Sequence, residues 1–330
     1  MRHLFSALAA TALTALSAHA VRAEPPSVAT DIAPVHSLVA AVMGDLGTPA
    51  LLVEPGASPH GYSLRPSQAR ALGQADVLFM VSDALTPWLV EAAESLAPGT
   101  ARHRLAEVEG THLLPTREGA DFESDHDHGH DHDHGHDHDH EHDHHDHDHD
   151  HGGTDPHAWL DPENADLWLD AIAAELGRLD PDNAGRYSAN AAAAQQELDS
   201  LSAGIADRLA PLHHLRFVVF HDAFQYFETR FGLQASGAIA LSDAAPSGPA
   251  ALARLRDRIR DFGAACVFSE PQQNPALIDS ISGADGLPVV ELDPLGARIE
   301  PGAGLYPTLL RNMGTAFQDC AAGGAAAGAQ

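Results

Sequence analysis

Short apolar runs alternate with amphipathic stretches along the first hundred residues of the chain. Short apolar runs bounded by turn residues are typical of buried strands, and apolar positions spaced three or four residues apart are typical of helices. This pattern predicts strands at 27–32, 50–53 and 76–81 and helices at 36–43, 66–72 and 87–96. Strands that alternate with helices form parallel sheets with helices on both faces, so this part of the chain predicts an α/β lobe.

The same alternation returns after residue 211. It predicts strands at 216–221, 233–239, 265–269 and 287–292 and helices at 222–231, 249–262, 275–282 and 305–319. The fold class is therefore α/β, with two lobes that each contain a parallel sheet flanked by helices.

A long helical signal lies between the two lobes. A helix at 162–179 with Asp161 as its cap is followed by a second one at 181–211, which Asp180 and Pro181 would start. Apolar or small residues recur every three or four positions in this second helix, at Ala184, Tyr187, Ala191, Ala194, Leu198, Leu201, Ile205 and Leu209. A helix of about thirty residues reaches about 45 Å, enough to run along both lobes. The alternative is a two-helix hairpin broken near 202–204.

These patterns predict four segments. They are a signal peptide at 1–23, a first lobe at 24–179, a linking helix at 180–211 and a second lobe at 212–330. Arg2, an apolar stretch at 4–16 and small-residue cleavage sites before residue 24 are typical of a cleaved secretory signal. The apolar stretch is shorter than the roughly 20 residues that a membrane anchor needs. We therefore expect an exported protein from which this segment is cleaved.

Composition narrows the function further. The 330 residues carry a formal net charge of -29, which makes a nucleic-acid partner very unfavourable. The chain contains no lysine, which excludes Schiff-base chemistry and a P-loop lysine.

A run at 125–151 alternates Asp and His and contains no apolar residue. Such a segment cannot bury a core, and we expect a disordered surface insertion in the first lobe. Imidazole beside carboxylate binds zinc, copper or nickel, so we expect the run to be an auxiliary metal collector. Protonation of the histidines should abolish this binding at acidic pH. The alternative is that the run is a spacer. Its histidines are His126, His128, His130, His132, His134, His136, His138, His140, His142, His144, His145, His147, His149 and His151.

Four further residues are candidates for one defined metal site. His60, His221 and Asp293 follow predicted strands, and His157 stands between the histidine run and the next helix. Ligands in α/β proteins bind beyond the carboxyl ends of strands. Three imidazoles and one carboxylate suit tetrahedral Zn²⁺, although each histidine taken alone could equally be a core or surface residue.

Two cysteines, Cys266 and Cys320, remain in the exported chain. An oxidising compartment favours a disulfide between them, and the alternative is a pair of buried free thiols.

Five motifs occur in order along the mature chain: PGASPHGYSLRPS, DPHAWLDPENA, FHDAFQYF, FSEPQQNP and ELDPLG. With the histidine-rich insertion, they closely resemble the periplasmic zinc-binding proteins of ABC importers, the ZnuA type. The resemblance implies a long rigid helix between two lobes and a metal in the cleft between them. The resemblance also implies that His60, His157 and His221 are zinc ligands. The cysteine pair of the family corresponds to Cys266 and Cys320.

Two positions bear on the metal and its fourth ligand. Manganese- and iron-binding relatives place a carboxylate where this chain has His221, so the histidine favours zinc. Some members carry a glutamate directly before the first ligand histidine, where this chain has Pro59. Asp293 or a water is then the fourth ligand, and Glu270 either supports a ligand or caps a helix.

The resemblance implies a monomeric protein that captures Zn²⁺ and delivers it to an ABC permease with its cytoplasmic ATPase. A periplasmic zinc buffer or metallochaperone, or a manganese- or iron-binding relative, is the alternative. A zinc hydrolase is disfavoured because neither HExxH nor GxSxG occurs, and we expect no enzyme activity.

Overall fold

The structure is a computed structural model that describes residues 24–117, 153–240, 256–257, 259–261, 263–273 and 287–323. The predicted signal peptide, the histidine run, the helix at 275–282 and part of the helix at 249–262 lie outside these residues. Within the described part of the chain, no helix has the length and apolar character needed to cross a membrane.

The first sheet has four parallel strands in the order β2-β1-β3-β4. Its strands are β1 (Val28–Thr30), β2 (Ala50–Leu51), β3 (Val77–Met80) and β4 (Ala101–Arg104), and its helices are α1 (Ala33–Met43), α2 (Pro66–Gly73) and α3 (Pro87–Leu96). The pattern predicted every element except β4. That edge strand reads Ala-Arg-His-Arg and is only half-buried, so it carries no apolar run.

Two long helices follow the first sheet, α4 (Pro162–Leu179) and α5 (Ala184–Leu209), and α5 links the lobes. Asp161 caps α4 as predicted, since its side chain accepts the N–H of Glu163 at 3.0 Å. The 26 residues of α5 form one unbroken helix, so the hairpin alternative is wrong. At 1.5 Å per residue it extends about 39 Å. Asp180 does not cap α5 and instead accepts hydrogen bonds from Asn183 Nδ2 and Tyr187 Oη, at 2.7 and 3.0 Å.

The second sheet is also parallel, in the order β6-β5-β7-β8. Its strands are β5 (Phe217–His221), β6 (Gly237–Ala240), β7 (Cys266–Ser269) and β8 (Val289–Glu291), and the helices of this lobe include α6 (Gln225–Phe231) and α7 (Leu305–Ala321). Cys266 on β7 and Cys320 on α7 form a disulfide across a separation of 54 residues. The predicted pairing is therefore present and joins the sheet to the last helix.

The main hydrophobic core runs through both lobes and the helix between them. It extends from Val28 in the first sheet through Trp168 and Ile205 to Phe317 in α7. Helix α5 packs on α1 and α4 and also on α7. Because apolar side chains pack at close to crystal density in such a core, the two lobes share one rigid frame.

Candidate metal centre

Three imidazoles converge between the two lobes. The ligand nitrogens of His60, His157 and His221 all lie within 4.8 Å of one another. The Nε2 atoms of His157 and His221 are 3.4 Å apart. Two nitrogens bound tetrahedrally to zinc at about 2.05 Å lie about 3.3 Å apart, so this separation already fits one shared ion.

His60 stands in the loop between β2 and α2. The indole Nε1 of Trp88 donates to the carbonyl of Pro59 at 2.7 Å, and the ring of Tyr62 packs on Trp88 with centroids 5.6 Å apart. Arg65 forms an ion pair with Glu54 across the base of the loop. These contacts hold the turn that presents His60 to the cleft.

His157 is oriented by a carboxylate two residues earlier. Asp155 Oδ1 lies 2.7 Å from Nδ1 of His157 and also accepts its backbone N–H at 2.9 Å. Both side chains are buried. A carboxylate on the far nitrogen of a histidine fixes the ring and raises the basicity of the other nitrogen, which then faces the neighbouring imidazoles.

His221 ends β5 and has the same kind of partner. Its Nδ1 lies 2.5 Å from Oε1 of Glu270, the residue that follows the neighbouring strand β7. Both residues are buried. Parallel strands bring their carboxyl ends to one edge of the sheet, so the pair forms there. Of the two roles open to Glu270, this contact favours support of a ligand over capping of a helix.

Asp293 does not join the histidine cluster. Its Oδ1 accepts the backbone N–H groups of Leu295 and Gly296 at 3.0 and 2.9 Å, and its Oδ2 accepts that of Ala297 at 2.6 Å. Burial raises the pKa of this carboxyl, although the backbone hydrogen bonds oppose the rise. Of the two candidates for the fourth ligand, these contacts disfavour Asp293, because its side chain turns back to fold its own loop.

A cavity of about 130 Å³ adjoins the three histidines. The first lobe contributes Ser58 and Trp159 to its wall, and the second contributes Gln272, Gln273 and Leu295. Trp159 also crosses between the lobes, since its Nε1 donates to the carbonyl of Pro294 at 2.8 Å. Residues of both lobes therefore form the wall of the cavity.

The segment that leads to the histidine run is fastened to the second lobe by Arg117. Its guanidinium donates from Nε to Asp222 Oδ1 at 3.0 Å and from Nη1 to Glu228 Oε2 at 2.9 Å. Both carboxylates are almost fully buried. Sequence reasoning missed this network, because the partners are 105 and 111 residues away and no local pattern links them.

The returning end of the same segment is paired to the outgoing one. The N–H of Thr116 donates to the carbonyl of Gly153 at 2.8 Å, and Pro115 and Thr154 form an antiparallel bridge. Tyr226 Oη on α6 donates to the carbonyl of Asp155 at 2.8 Å. Both flanks of the run therefore lie beside the segment 153–161 that carries His157, which we call the strap.

Known proteins resemble the chain in sequence and in fold. Residues 28–320 match the family described as the zinc-uptake complex component A, periplasmic. The high-affinity zinc uptake system protein ZnuA of Paracoccus denitrificans (strain Pd 1222) is 50% identical over 318 residues, which cover 96% of this chain and 98% of that protein. The protein of the same name from Brucella abortus (strain 2308) is 41% identical over 331 residues, 97% of this chain and 99% of its own length.

Solved structures confirm the two-lobed fold. A crystal structure of ZnuA superposes with a TM-score of 0.70 at 24% identity and covers 90% of this chain and 99% of that one. The Mn²⁺ complex of FpvC from Pseudomonas aeruginosa gives a TM-score of 0.71 at 22% identity, with the same coverage. The family match and the long, highly identical relatives establish that the chain belongs to the family of periplasmic components A of zinc-uptake complexes.

Proposed function

We propose that the protein captures Zn²⁺ in the periplasm and delivers it to the membrane permease of an ABC importer. The observation that carries the proposal is the convergence of His60, His157 and His221 on one point between the lobes. In this proposal the three imidazoles bind the ion as cargo. Membership in a family described as a periplasmic zinc-uptake component supports this role. That description implies a binding protein and not an enzyme.

The donor set favours zinc over manganese. Imidazole nitrogens suit zinc, whereas manganese prefers carboxylate and water oxygens. Both carboxylates beside the cluster, Asp155 and Glu270, contact the far nitrogens of His157 and His221 instead of facing the ion. They therefore strengthen two nitrogen ligands without adding hard oxygen ligands of their own.

We assign the histidine run a supporting role. Its two flanks are paired at Thr116 and Gly153, four residues before His157, so ions held by the run are released close to the cleft. The run supplies additional weak sites and the cleft supplies one tight site. The segment 1–23 acts as an export signal that is removed from the mature protein.

Release to the permease is proposed to occur through the strap 153–161 that carries His157. The common core and the continuous helix α5 oppose a large hinge motion of the lobes. The part of the strap before His157 is held by hydrogen bonds such as that of Tyr226 Oη to the carbonyl of Asp155, whereas residues 158–160 belong to the core. Displacement of His157 would remove one of three protein ligands and weaken binding at the permease.

Calorimetric zinc titrations of the mature chain (24–330) test the assignment. One tight site should disappear in His221→Ala and remain both in His214→Ala, an exposed histidine of the same lobe, and in a deletion of 125–151. The deletion should remove only the weaker sites. Unchanged tight binding in His221→Ala would show that the run is the real site. Displacement of zinc by equimolar manganese would indicate a manganese-binding protein.

A transport measurement separates an importer component from a zinc buffer. We expect the zinc-loaded protein to stimulate ATP hydrolysis by the zinc permease and ATPase of the same organism, after reconstitution in liposomes. The loaded His221→Ala protein should fail to do so at the same zinc concentration. No stimulation by the wild-type protein would favour the buffer.

A further inference from the structure

The side chain of Gln272 lines the metal cavity without a partner of its own. It follows Glu270 and Pro271 at the end of β7. Both its Nε2 and its Oε1 are shielded from solvent, and neither has a hydrogen-bond partner among the residues that the structure describes. Buried side-chain amides in native proteins are nearly always hydrogen-bonded. An amide left unpaired in the wall of a binding cavity indicates that the partner arrives with the ligand.

The unpaired amide differs from the other buried polar atoms without partners in the described part of the chain. His36 still has Nε2 within 3.2 Å of the carbonyl of Pro49, and Asp180 uses its other oxygen to accept two hydrogen bonds. Gln272 has both atoms unpaired. Gln272 therefore has both a donor and an acceptor available for a ligand.

The protein supplies three ligands and zinc takes four. Glu270 Oε1 is engaged by His221, and the oxygens of Asp293 accept backbone N–H groups, so neither carboxylate joins the cluster. The cavity of about 130 Å³ has room for an added ligand, since a water molecule occupies about 30 Å³ in the liquid. These observations favour a small non-protein molecule in the fourth position.

We propose that Gln272 is a positioning residue that holds a water molecule as the fourth ligand of the bound ion. A metal-bound water is a strong hydrogen-bond donor, because the ion polarises its O–H bonds. The Oε1 atom of Gln272 accepts a hydrogen bond from this water. The inference rests on the proposed function, since it requires an ion at the three histidines. Because the fourth ligand is a water, ligands can exchange at this position of the ion without movement of a protein side chain.

Cobalt substitution provides a direct test. One equivalent of Co²⁺ is added to the mature full-length protein, and thiocyanate is titrated while the visible absorption of the ion is recorded. The variants are Gln272→Met, which keeps the length of the side chain without its amide, and Gln318→Met as the matched control. Gln318 is an exposed residue of α7 and does not line the cavity.

We expect thiocyanate to replace the water in the wild type and to bind about three- to tenfold more tightly in Gln272→Met. The zinc dissociation constant, measured against a chelator, should rise by about tenfold in the same variant, in the range seen for removal of groups that orient metal ligands. Gln318→Met should match the wild type in both measurements. If Gln272→Met does not fold by circular dichroism, Gln272→Leu replaces it.

Three results would overturn the proposal. Equal thiocyanate and zinc affinities in Gln272→Met and the wild type would show that the amide does not contact the fourth ligand. Weaker thiocyanate binding in the variant would show that Nε2 holds an anion in place of water. A wild-type spectrum that thiocyanate does not change would exclude an exchangeable ligand. Failure of the three-histidine site is recognised separately, because His221→Ala would then retain the cobalt spectrum.

Discussion

The Nδ1 atom of His221 lies 2.5 Å from Oε1 of Glu270 at the ends of two neighbouring parallel strands. The pair directs the other nitrogen of His221 towards His157, whose own Nδ1 contacts Asp155. Two of the three imidazoles thus carry a buried carboxylate on the side away from the cleft. This arrangement prepares the nitrogens for a cation before one arrives.

Replacement of Glu270 should weaken zinc binding without removing a ligand. We expect the dissociation constant for zinc to rise by about 10- to 100-fold in Glu270→Ala, because the ring of His221 loses its orientation and part of its basicity. Competition with a fluorescent chelator measures the change. Glu291→Ala is the control, since Glu291 is exposed and pairs with Arg298 at the surface. Equal affinities in the two variants would contradict a supporting role for Glu270.

Removal of Arg117 should destabilise the protein. Arg117→Met leaves Asp222 and Glu228 as buried carboxylates without their cation, and loss of one partner from a buried ion pair costs about 3–5 kcal/mol. Urea unfolding of the metal-free protein measures this. Arg186→Met is the control, because its ion pair with Asp45 is exposed and should contribute less than about 1 kcal/mol. Similar losses in both variants would show that Arg117 does not fasten the segment before the histidine run to the second lobe.

The stability of the metal-free protein should fall as the pH rises from about 4 to 7, because of Asp31. Burial raises the pKa of this carboxyl to about 7, although the N–H groups of Val81 and Ile32 oppose the rise. The folded state then binds more protons than the unfolded state between the reference value of 3.8 and 7. Ionisation of Asp31 above this window therefore costs a few kcal/mol of the free energy of unfolding.

Urea unfolding between pH 4.5 and 8, with a chelator present, measures the contribution of Asp31. Other groups also titrate in this range, so the informative quantity is the difference in slope between the wild type and Asp31→Asn. We expect a flatter profile in the variant, whatever its stability at one pH. Parallel profiles would mean that Asp31 ionises in the folded state at its ordinary pKa.

The disulfide should stabilise the lobe that carries Glu270 and Gln272. It ties β7, which ends directly before Glu270, to α7. Loss of a native disulfide costs about 2–5 kcal/mol. We expect this loss in the double variant Cys266→Ala, Cys320→Ala, measured by urea unfolding without reductant. Dithiothreitol should destabilise the wild type by a similar amount and leave the variant unchanged, and an effect on both would point to another cause.

The pattern of apolar residues determined most of the fold. The strands at 77–80 and 217–221 are visible in the sequence as continuous apolar runs, and the helices at 162–179 and 184–209 as apolar residues every three or four positions. His60 and His221 were found for a related reason, since residues just beyond parallel strands converge at one edge of a sheet. Strand β4 was not predicted, because an edge strand depends on backbone pairing more than on apolar side chains.

The tertiary structure alone decided which side chains meet at the site. A position at the end of a strand does not specify where the side chain turns, so Asp293 faces the amides of its own loop while Glu270 faces His221. The contacts of Arg117 and the unpaired amide of Gln272 depend on how two lobes and a strap pack against one another. Local periodicity encodes the elements, but the partner of a buried polar group is set by distant segments that only the packed core brings together.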